Sequence, residues 1–294
     1  MTYPIINPGA TAHTPISGAG PTDIATDDMY RMSRLFVEPC SAVPMSLNGH
    51  RLLHALLHRT CRDLPEWSAE VRQPPDGYRA PCAALRRTLG LESDNGNRNL
   101  APGIADLRQT NILDVLEFGH QNAWLTWRFE DAMLRTILDG ERYGLLDASA
   151  LRKFGSVADF QIFSLVSVVR RTRKAAFTFE VQQAGIWTGK PEARWSDVSA
   201  VIINAIRLSC AHYGLTAVVL LEARGFLAGI DTVVVRLQRR GGLWTASGIA
   251  KCSVWTRACV VIDPAGHTRV ASADLPDLVA RLSKTGWRLK PPQP

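Results

Sequence analysis

The alternation of apolar and polar positions is clearest between Arg194 and Arg240. The stretch WSDVSAVIINAIRLSCAHYG repeats apolar residues at helical spacing, and two apolar runs follow it directly, LTAVVLLE and IDTVVVRLQRR. The segment ARGFLAG separates the two runs. Apolar positions at a period near 3.6 form one face of a helix, whereas short apolar runs bounded by turn residues form strands. The pattern therefore predicts a long helix that leads into a β-hairpin.

The segments before this stretch extend the pattern. VADFQIFSLVSVVRRTRKAA predicts a strongly apolar helix with a basic end, FTFEV predicts a strand, and VQQAGIWTG predicts a short helix or turn. A helix, a strand, a short helix, a long helix and a hairpin follow one another in a winged-helix domain, in which the long helix normally enters a DNA groove. The pattern therefore indicates such a domain in this half of the chain.

A second copy of the same order is predicted upstream. SLNGHRLLHALLHRTC, APCAALRRTLGL and NLAPGIADLRQTNILDVLEF carry apolar residues at helical spacing, and the alternating run AWLTWRF predicts a strand. EDAMLRTILDGERYGLLDASALRKFGS is predicted to connect the copies as a helix, a turn and a short helix. Repetition of element order without sequence periodicity indicates two domains rather than a solenoid.

The predicted fold class is α+β, with two tandem winged-helix domains at residues 45–137 and 138–240. Residues 1–44 are rich in Pro, Gly, Ser, Thr and Ala and are predicted to be a flexible arm, within which MYRMSRLFVE is a helix or an interaction segment. Residues 241–294 are predicted to form a small α+β extension. We expect it to contain a hairpin at DPAGH and a helix from about Ala273.

Three histidines, His50, His54 and His58, recur every four residues beside the leucine stripe of the first predicted helix. Three imidazoles at this spacing can bind a metal ion, but such sites usually add a carboxylate or thiolate ligand with supporting hydrogen bonds. In the sequence only Cys61 is near. The spacing is therefore interpreted as a solvated flank of the helix, and no metal or other cofactor is predicted.

Composition narrows the class of protein. Of the 294 residues, 46% are apolar and 21% are charged, which indicates a globular chain long enough for two domains. A formal charge of +7 suits a protein that binds a polyanion, since Lys and Arg neutralise phosphates. The six cysteines form no CxxC pair and are expected to be reduced and mostly buried. A cytoplasmic location is expected, because the sequence has no membrane-spanning apolar run and no secretory signal pattern.

From about Ser46 to Arg240 the chain resembles the iteron-binding plasmid replication initiators, a family built from two tandem winged-helix domains. The resemblance is carried by IADLRQTNILDV followed by LTWRF, by ERYGLLDASALRKFGSVADFQIFSLVSVV, by FTFEVQQAGIW, and by RWSDVSAVIINAI, which is similar to the family's recognition helix. It implies a bacterial, plasmid- or nucleoid-associated protein that binds double-stranded DNA with direct repeats. It also implies melting of adjacent duplex, recruitment of the host replication initiator and helicase, and repression of its own synthesis as a dimer.

The candidate DNA-contacting residues lie on and around the two predicted recognition helices. In the second domain we expect Ser196, Ser199 and Asn204 to face base edges, because Asn suits bidentate contact with adenine. The residues expected near the DNA backbone are Lys190, Arg194, Arg207, Arg224 and the densest basic cluster, Arg170, Arg171, Arg173 and Lys174. The candidates in the first domain are Arg98, Asn99, Arg108, Gln109 and Thr110.

Each candidate also has a structural alternative. Ser196 can cap the helix, Asn204 can belong to the polar face of a packed helix, and cations at a helix C-terminus favour the helix dipole. Ser199 and Ala200 stand where recognition helices of the family usually carry basic residues.

No HExxH, GxSxG or P-loop motif occurs, so no enzyme activity is predicted. The favoured function is a DNA-binding plasmid replication initiator. The alternatives are a protein-interaction module on a degenerate initiator scaffold and a winged-helix transcription regulator.

Overall fold

The computed structural model describes residues 28–40, 43–64, 72–91, 97–119, 121–138, 143–172, 175–225, 229–239, 253–263 and 266–271. In chain order the helices and strands are β1 (Met29–Ser33), α1 (Arg34–Cys40), α2 (Leu47–Asp63), β2 (Tyr78–Pro81), α3 (Cys82–Thr88), α4 (Leu100–Arg108), β3 (Leu113–Gly119), β4 (Trp124–Phe129), α5 (Asp131–Leu138), β5 (Tyr143–Asp147), α6 (Ala148–Leu151), α7 (Val157–Val169), β6 (Ala176–Glu180), α8 (Val181–Trp187), α9 (Trp195–Tyr213), β7 (Leu215–Glu222), β8 (Thr232–Arg239), β9 (Thr256–Asp263) and β10 (Gly266–Ala271). Helices and antiparallel strands alternate along the chain, which confirms the α+β class.

The elements from α2 to β4 form a first unit. Its three antiparallel strands lie in the order β2-β4-β3. Helices α2 and α4 pack closely, since a Cβ on Gly103 would lie 2.5 Å from the backbone oxygen of Asn48. The fully buried Trp127 of β4 donates its indole N–H to the Thr60 hydroxyl over 2.9 Å. Helix α2 is thus tied to both α4 and the sheet.

The long helix predicted over NLAPGIADLRQTNILDVLEF is wrong in its second half. Helix α4 ends at Arg108, and Leu113–Gly119 is strand β3. Thr110 lies in the intervening turn, where its hydroxyl donates to the Leu107 carbonyl over 2.7 Å and accepts from the Ile112 N–H over 3.4 Å. The alternation in LDVLEF is a strand signal, and pairing with β4 stabilises that conformation.

The elements from α7 to β10 form a second unit, whose five-stranded sheet has the order β10-β9-β7-β8-β6. Helix α7 is buried at every position from Ala158 to Val169. It begins with a capping box, in which the Ser156 hydroxyl accepts from the Asp159 N–H over 3.2 Å and the Asp159 carboxylate accepts from the Ser156 N–H over 2.8 Å. The predicted helix, strand, short helix, long helix and hairpin are all found in this unit.

The described part of the predicted C-terminal extension belongs to the same sheet. Strand β9 pairs antiparallel with β7, and β10 pairs with β9 across the predicted hairpin at DPAGH. Strand β7 is buried along its whole length. It pairs with β8 along one edge, and β9 pairs with its other edge, so that neither edge of β7 is left open. The helix predicted from about Ala273 lies outside the described residues.

Strands β1 and β5 form a two-stranded antiparallel sheet, called here the N-terminal ribbon. The prediction of a flexible arm is wrong for residues 28–40, because Tyr30 and Met32 of β1 are buried and pair with β5. Residues 1–27 lie outside the described part of the chain. The predicted turn between the two copies is also wrong in part, since the short apolar run YGLLD forms β5.

The N-terminal ribbon contacts both units. Strand β1 packs on α2, and β5 packs on α7. Gly144 allows the second contact, because a Cβ at this position would lie 2.6 Å from the backbone carbon of Ser167. Arg31 stacks its guanidinium 3.7 Å from the centre of the Tyr143 ring within the ribbon. One buried cluster therefore includes side chains of the ribbon and of both units.

The three histidines of α2 face the interior, so their interpretation as a solvated flank is wrong. His50, His54 and His58 are only 1%, 3% and 6% exposed. The Tyr30 hydroxyl forms a hydrogen bond of 2.5 Å with His54 Nδ1, and burial keeps the pKa of this hydroxyl well above its usual value, so it stays protonated. Gln161 of α7 lies 3.3 Å from His50 Nε2.

Burial disfavours the charged form of these imidazoles. It lowers the pKa of His50 to about 4 and, together with the neighbouring His50, that of His54 to about 3. Both rings are therefore neutral at pH 7. Within the described residues, no group of three or more His, Cys, Asp or Glu side chains is arranged to bind a metal ion.

The described cysteine side chains fit the expectation of reduced, buried thiols. Cys61, Cys82, Cys210 and Cys259 are free and buried. Burial raises the pKa of Cys61 and Cys210 to about 12, so both remain protonated at neutral pH. In the part of the chain that the structure describes, no helix has the length and apolar character required to cross a membrane.

Candidate nucleic-acid interface

Helix α9 has a buried side and a small exposed face. Val198, Ile202, Ala205 and Ile206 are buried, because they fall on one side at helical spacing. The exposed residues of the helix are Ser196, Asp197, Ala200, Val201, Asn204 and Ala211. This exposed set contains hydroxyl, carboxylate and amide groups but no cation.

The first turn of α9 is organised by Asp197. Its carboxylate accepts from the Arg194 N–H over 2.9 Å and from the Ser196 hydroxyl over 3.3 Å. The N-cap residue is Arg194, so the alternative that Ser196 caps the helix is wrong. Ser199 is half-buried and donates to the Ser196 carbonyl over 3.4 Å. Of the two candidate serines, Ser196 is therefore the more open to a ligand.

Asp231 organises the loop between β7 and β8. Its carboxylate accepts from the Arg224 N–H over 3.0 Å, from the Thr232 hydroxyl over 2.8 Å, and from the Gly225 N–H. Burial acts against the charged form, but the Arg224 and Gly225 hydrogen bonds outweigh it and hold the pKa of Asp231 below its usual value. The base of this loop is therefore firmly attached to the sheet.

A cleft of about 1090 Å³ lies between the start of α9 and this loop. Among the described residues that line it, Arg194 and Arg224 are cationic, and Glu180 and Asp231 are anionic. The two cations and two carboxylates cancel, so the cleft itself does not strongly attract phosphate. The net positive charge of the chain is therefore not concentrated on the described residues that line this cleft.

The other candidates of the second unit lie before α9, on α9 itself and just after β7. Lys190 is exposed on the loop before α9. Further along the helix, Arg207 donates to the Asn204 side-chain oxygen over 2.9 Å, so these two candidates form a local pair. Arg224 donates to Glu222 over 2.6 Å, and the Glu222 side chain is 3% exposed. Arg224 thus neutralises a buried carboxylate as well as lining the cleft.

The basic cluster lies at the opposite end of α9. Arg170, at the end of α7, stacks 4.2 Å from the ring centre of Tyr213, which is the last residue of α9. Arg171 is exposed and lies 6.0 Å from the Tyr143 ring centre. At about 1.5 Å per residue, the 19 residues of α9 separate this cluster from the cleft by about 28 Å. Arg173 and Lys174 lie outside the described residues.

The candidates of the first unit surround α4. Arg98 precedes the helix and is exposed, Asn99 is its N-cap residue, and Gln109 is exposed at its end. Arg108 donates from two nitrogens to the Leu116 carbonyl of β3, over 3.1 and 2.8 Å. Arg108 and Thr110 therefore serve the turn between α4 and β3, whereas Arg98 and Gln109 are open to a ligand.

Sequence reasoning did not assign Glu180, Glu222 or Asp231 to this site. Asp231 had a usable signal, because an Asp between a loop and a strand commonly accepts hydrogen bonds from nearby backbone N–H groups. Glu180 and Glu222 had no comparable signal, since their places depend on how three separated strands align.

No protein-family model matches the chain, and the comparison with curated proteins finds no match. Among solved structures, the fold is similar to that described as the crystal structure of Pi initiator protein in complex with iteron DNA, with a TM-score of 0.49 and 12% sequence identity. The similarity covers 73% of this chain and 98% of that one. That protein is an initiator in complex with iteron DNA, and the sequence resembles the iteron-binding initiators. A likeness at this level assigns neither an activity nor a partner to the chain.

Proposed function

We propose that the chain is a double-stranded DNA-binding protein built from two winged-helix domains, which initiates plasmid replication at direct repeats. The observation that carries the proposal is a topology that occurs twice. In both units a helix, a strand, two helices and two strands follow in order, and the sheets run β2-β4-β3 and β6-β8-β7. In both, the first strand pairs with the third and the third with the second, as in a winged helix.

The proposed domains differ slightly from the predicted ones. The first domain comprises α2 to β4, and the second comprises α7 to β8 with β9 and β10 added at the edge of its sheet. Each presents the helix before its hairpin, α4 or α9, as the recognition helix. In this arrangement the N-terminal part of the helix approaches base edges, while flanking groups contact phosphates.

For the second domain, Ser196 and Asn204 are the proposed base contacts, and Lys190 and Arg194 are the proposed phosphate contacts. Asn204 suits adenine, which accepts and donates one hydrogen bond each at its major-groove edge. The formal charge of +7 supports an overall attraction to DNA. Recruitment of the host replication initiator and helicase, dimer formation and a bacterial, plasmid-associated location are proposed with the function, and no step requires catalysis by this chain.

One observation favours a second candidate function, a protein-interaction module on the same scaffold. The exposed set of α9 contains Ala200 and Val201 and no cation, and the charges that line its cleft cancel. A surface of this kind suits a protein partner better than a phosphate backbone, because interface cores are depleted in charge.

Fluorescence anisotropy tests the proposal with two labelled duplexes, one carrying direct repeats from beside the coding region and one a base-shuffled copy. We expect the repeats to bind at least about 1,000-fold more tightly than the shuffled copy at physiological salt. Asn204→Ala should cost about 1–3 kcal/mol on the repeats only, whereas Arg194→Ala should weaken both duplexes alike. Absence of binding to both duplexes at about 50 mM salt would refute the proposal and leave the protein-interaction candidate.

The basic cluster provides a separate check of how the chain attaches to DNA. Replacing Arg170, Arg171 and Arg173 by Ala should weaken binding to both duplexes equally and reduce the slope of log K against log salt by about one per lost phosphate contact. An unchanged affinity for the shuffled duplex would show that the cluster serves the contact with Tyr213 and Tyr143 and not DNA.

A further inference from the structure

The turn before β9 exposes two adjacent apolar side chains. Val254 is 85% exposed and Trp255 is 47% exposed. The other large exposed apolar residues of the described chain, Leu35, Ile186 and Val201, are single positions on three different helices. An adjacent valine and tryptophan at a turn form a compact apolar projection that is open to contact with a partner.

This projection is held firmly against the end of β7. The Trp255 carbonyl accepts from the Ala223 N–H over 3.0 Å, and the Trp255 N–H donates to the Ser253 hydroxyl over 3.0 Å. The Thr256 hydroxyl donates to the buried Glu222 carboxylate over 3.4 Å. Because these bonds involve the backbone or neighbouring side chains, the exposed side chains of Val254 and Trp255 are not required for the turn.

The sheet places the turn level with the start of α9. Glu180 lies opposite Thr232, Thr232 opposite Glu222, and Glu222 opposite Thr256, so four strand ends form one row. With about 4.8 Å between strands, Thr256 is about 14 Å from Glu180. Glu180 and Thr232 line the cleft at the start of α9. The row therefore runs from the cleft at the start of α9, past the base of the loop between β7 and β8, to Thr256, which directly follows the turn that carries Val254 and Trp255.

The length of this row, about 14 Å, is of the same order as the spacing of DNA grooves. A helical turn of about 34 Å places a major groove and the next minor groove about 17 Å apart on one face of the duplex. A duplex with α9 in its major groove would therefore present the neighbouring minor groove to the turn before β9.

The charges around the turn also suit DNA. Arg257, directly after it, is exposed, and the Arg224 side chain is 49% exposed. The adjacent Glu222 carboxylate is 3% exposed and bonded to Arg224. Arg257 thus supplies an exposed cation two residues after Trp255, where a phosphate of the bound duplex can be contacted.

We propose that Val254 and Trp255 form an apolar wedge that enters the minor groove of a duplex bound through α9 and bends it. Apolar side chains inserted at the minor groove partly unstack a base step and kink the duplex toward the major groove. The proposal rests on the proposed DNA-binding function and adds a second point of contact, supplied by the strands that extend the winged-helix sheet.

The test uses the full chain and two 40-base-pair duplexes, the direct repeats and a base-shuffled copy, labelled at both ends with a donor and an acceptor dye. Anisotropy gives the affinity, and energy transfer between the ends reports bending. For Val254→Ser combined with Trp255→Ala, we expect roughly tenfold weaker binding to the repeats and loss of the bend, with an unchanged salt slope because no phosphate contact is removed.

Three further variants separate the wedge from other effects. Trp255→Phe keeps an aromatic wedge and should retain most of the bend, whereas Leu35→Ser removes a similarly exposed apolar group from α1 and should change nothing. Arg257→Ala should reduce the salt slope by about one. Circular dichroism establishes that each variant is folded.

Two outcomes would overturn the inference, and they are distinguishable. If the wild-type chain binds the duplexes but the double variant binds and bends them equally well, the wedge is refuted and the proposed function stands. If the wild-type chain binds neither duplex, the proposed function fails and the wedge fails with it.

Discussion

The buried histidines of α2 predict a loss of stability under mildly acidic conditions. His50 and His54 have folded-state pKa values of about 4 and about 3, whereas an unfolded histidine titrates near 6.5. The unfolded chain therefore binds protons in a range where the folded chain does not. The stabilisation is complete above pH 6.5 and is lost as the pH falls toward the folded-state values.

The size of this stability loss follows from the difference between the pH and the pKa of histidine in the unfolded chain. Lowering the pH from 6.5 to 5 is about 1.5 units, and at 1.36 kcal/mol per unit each histidine removes about 2 kcal/mol. The pair removes about 4 kcal/mol at pH 5, which is a large part of the typical stability of a domain, about 5–15 kcal/mol. The neighbouring Asp106 favours protonation of His50, and that effect is already included in its lowered pKa.

Urea unfolding followed by circular dichroism between pH 7.5 and pH 5 measures this loss. His54→Asn is the matched variant, because the amide of Asn lies where the imidazole Nδ1 lies, so that its oxygen can still accept from the Tyr30 hydroxyl, and because it does not titrate. We expect the variant to lose about half as much stability as the wild type over this pH range, about 2 kcal/mol. A wild-type free energy of unfolding that stays constant down to pH 5 would refute the burial of these neutral imidazoles, as would an identical pH profile for the variant.

Two other variants test contacts described above. Arg108→Ala removes both hydrogen bonds to the Leu116 carbonyl, and thermal unfolding should show a loss of about 1–3 kcal/mol; a stable variant with weakened DNA binding would instead identify Arg108 as a DNA contact. Asp231→Ala removes the acceptor of the Arg224 and Gly225 N–H groups. Hydrogen exchange of these two amides should accelerate while the β7 interior stays protected, and unchanged exchange would contradict the role of the carboxylate.

The parts of the fold that sequence predicted are those with strong local periodicity. Helix α9 and strands β7 and β8 combine long apolar repeats with clear turn residues, so local preference and tertiary packing agree. Strand β3 was missed because the apolar residues of α4 and those of β3 happen to continue the same helical spacing. The N-terminal ribbon was missed because its stability comes from pairing residues that are more than 100 positions apart, such as Tyr30 with Leu146.

The candidate site was predictable in its position but not in its charge balance. The pattern placed a recognition helix at Trp195–Tyr213, where the structure has α9. The pairing of Arg224 with Glu222, and the presence of Glu180 and Arg194 in one cleft, depend on strand alignment and on packing between elements. Likewise, a four-residue histidine spacing defines one helix face, but only the tertiary packing decides whether that face meets water or a neighbouring helix.

The N-terminal ribbon determines which fragments of the chain keep their contacts. A fragment that begins at Ser46 would lack β1, leaving β5 with an open edge and removing the tyrosine that satisfies His54. A fragment that ends before Tyr143 would retain β1 without its partner strand. Neither half therefore contains a complete set of its own contacts, and we expect a truncated or transplanted fragment to need both units together with β1.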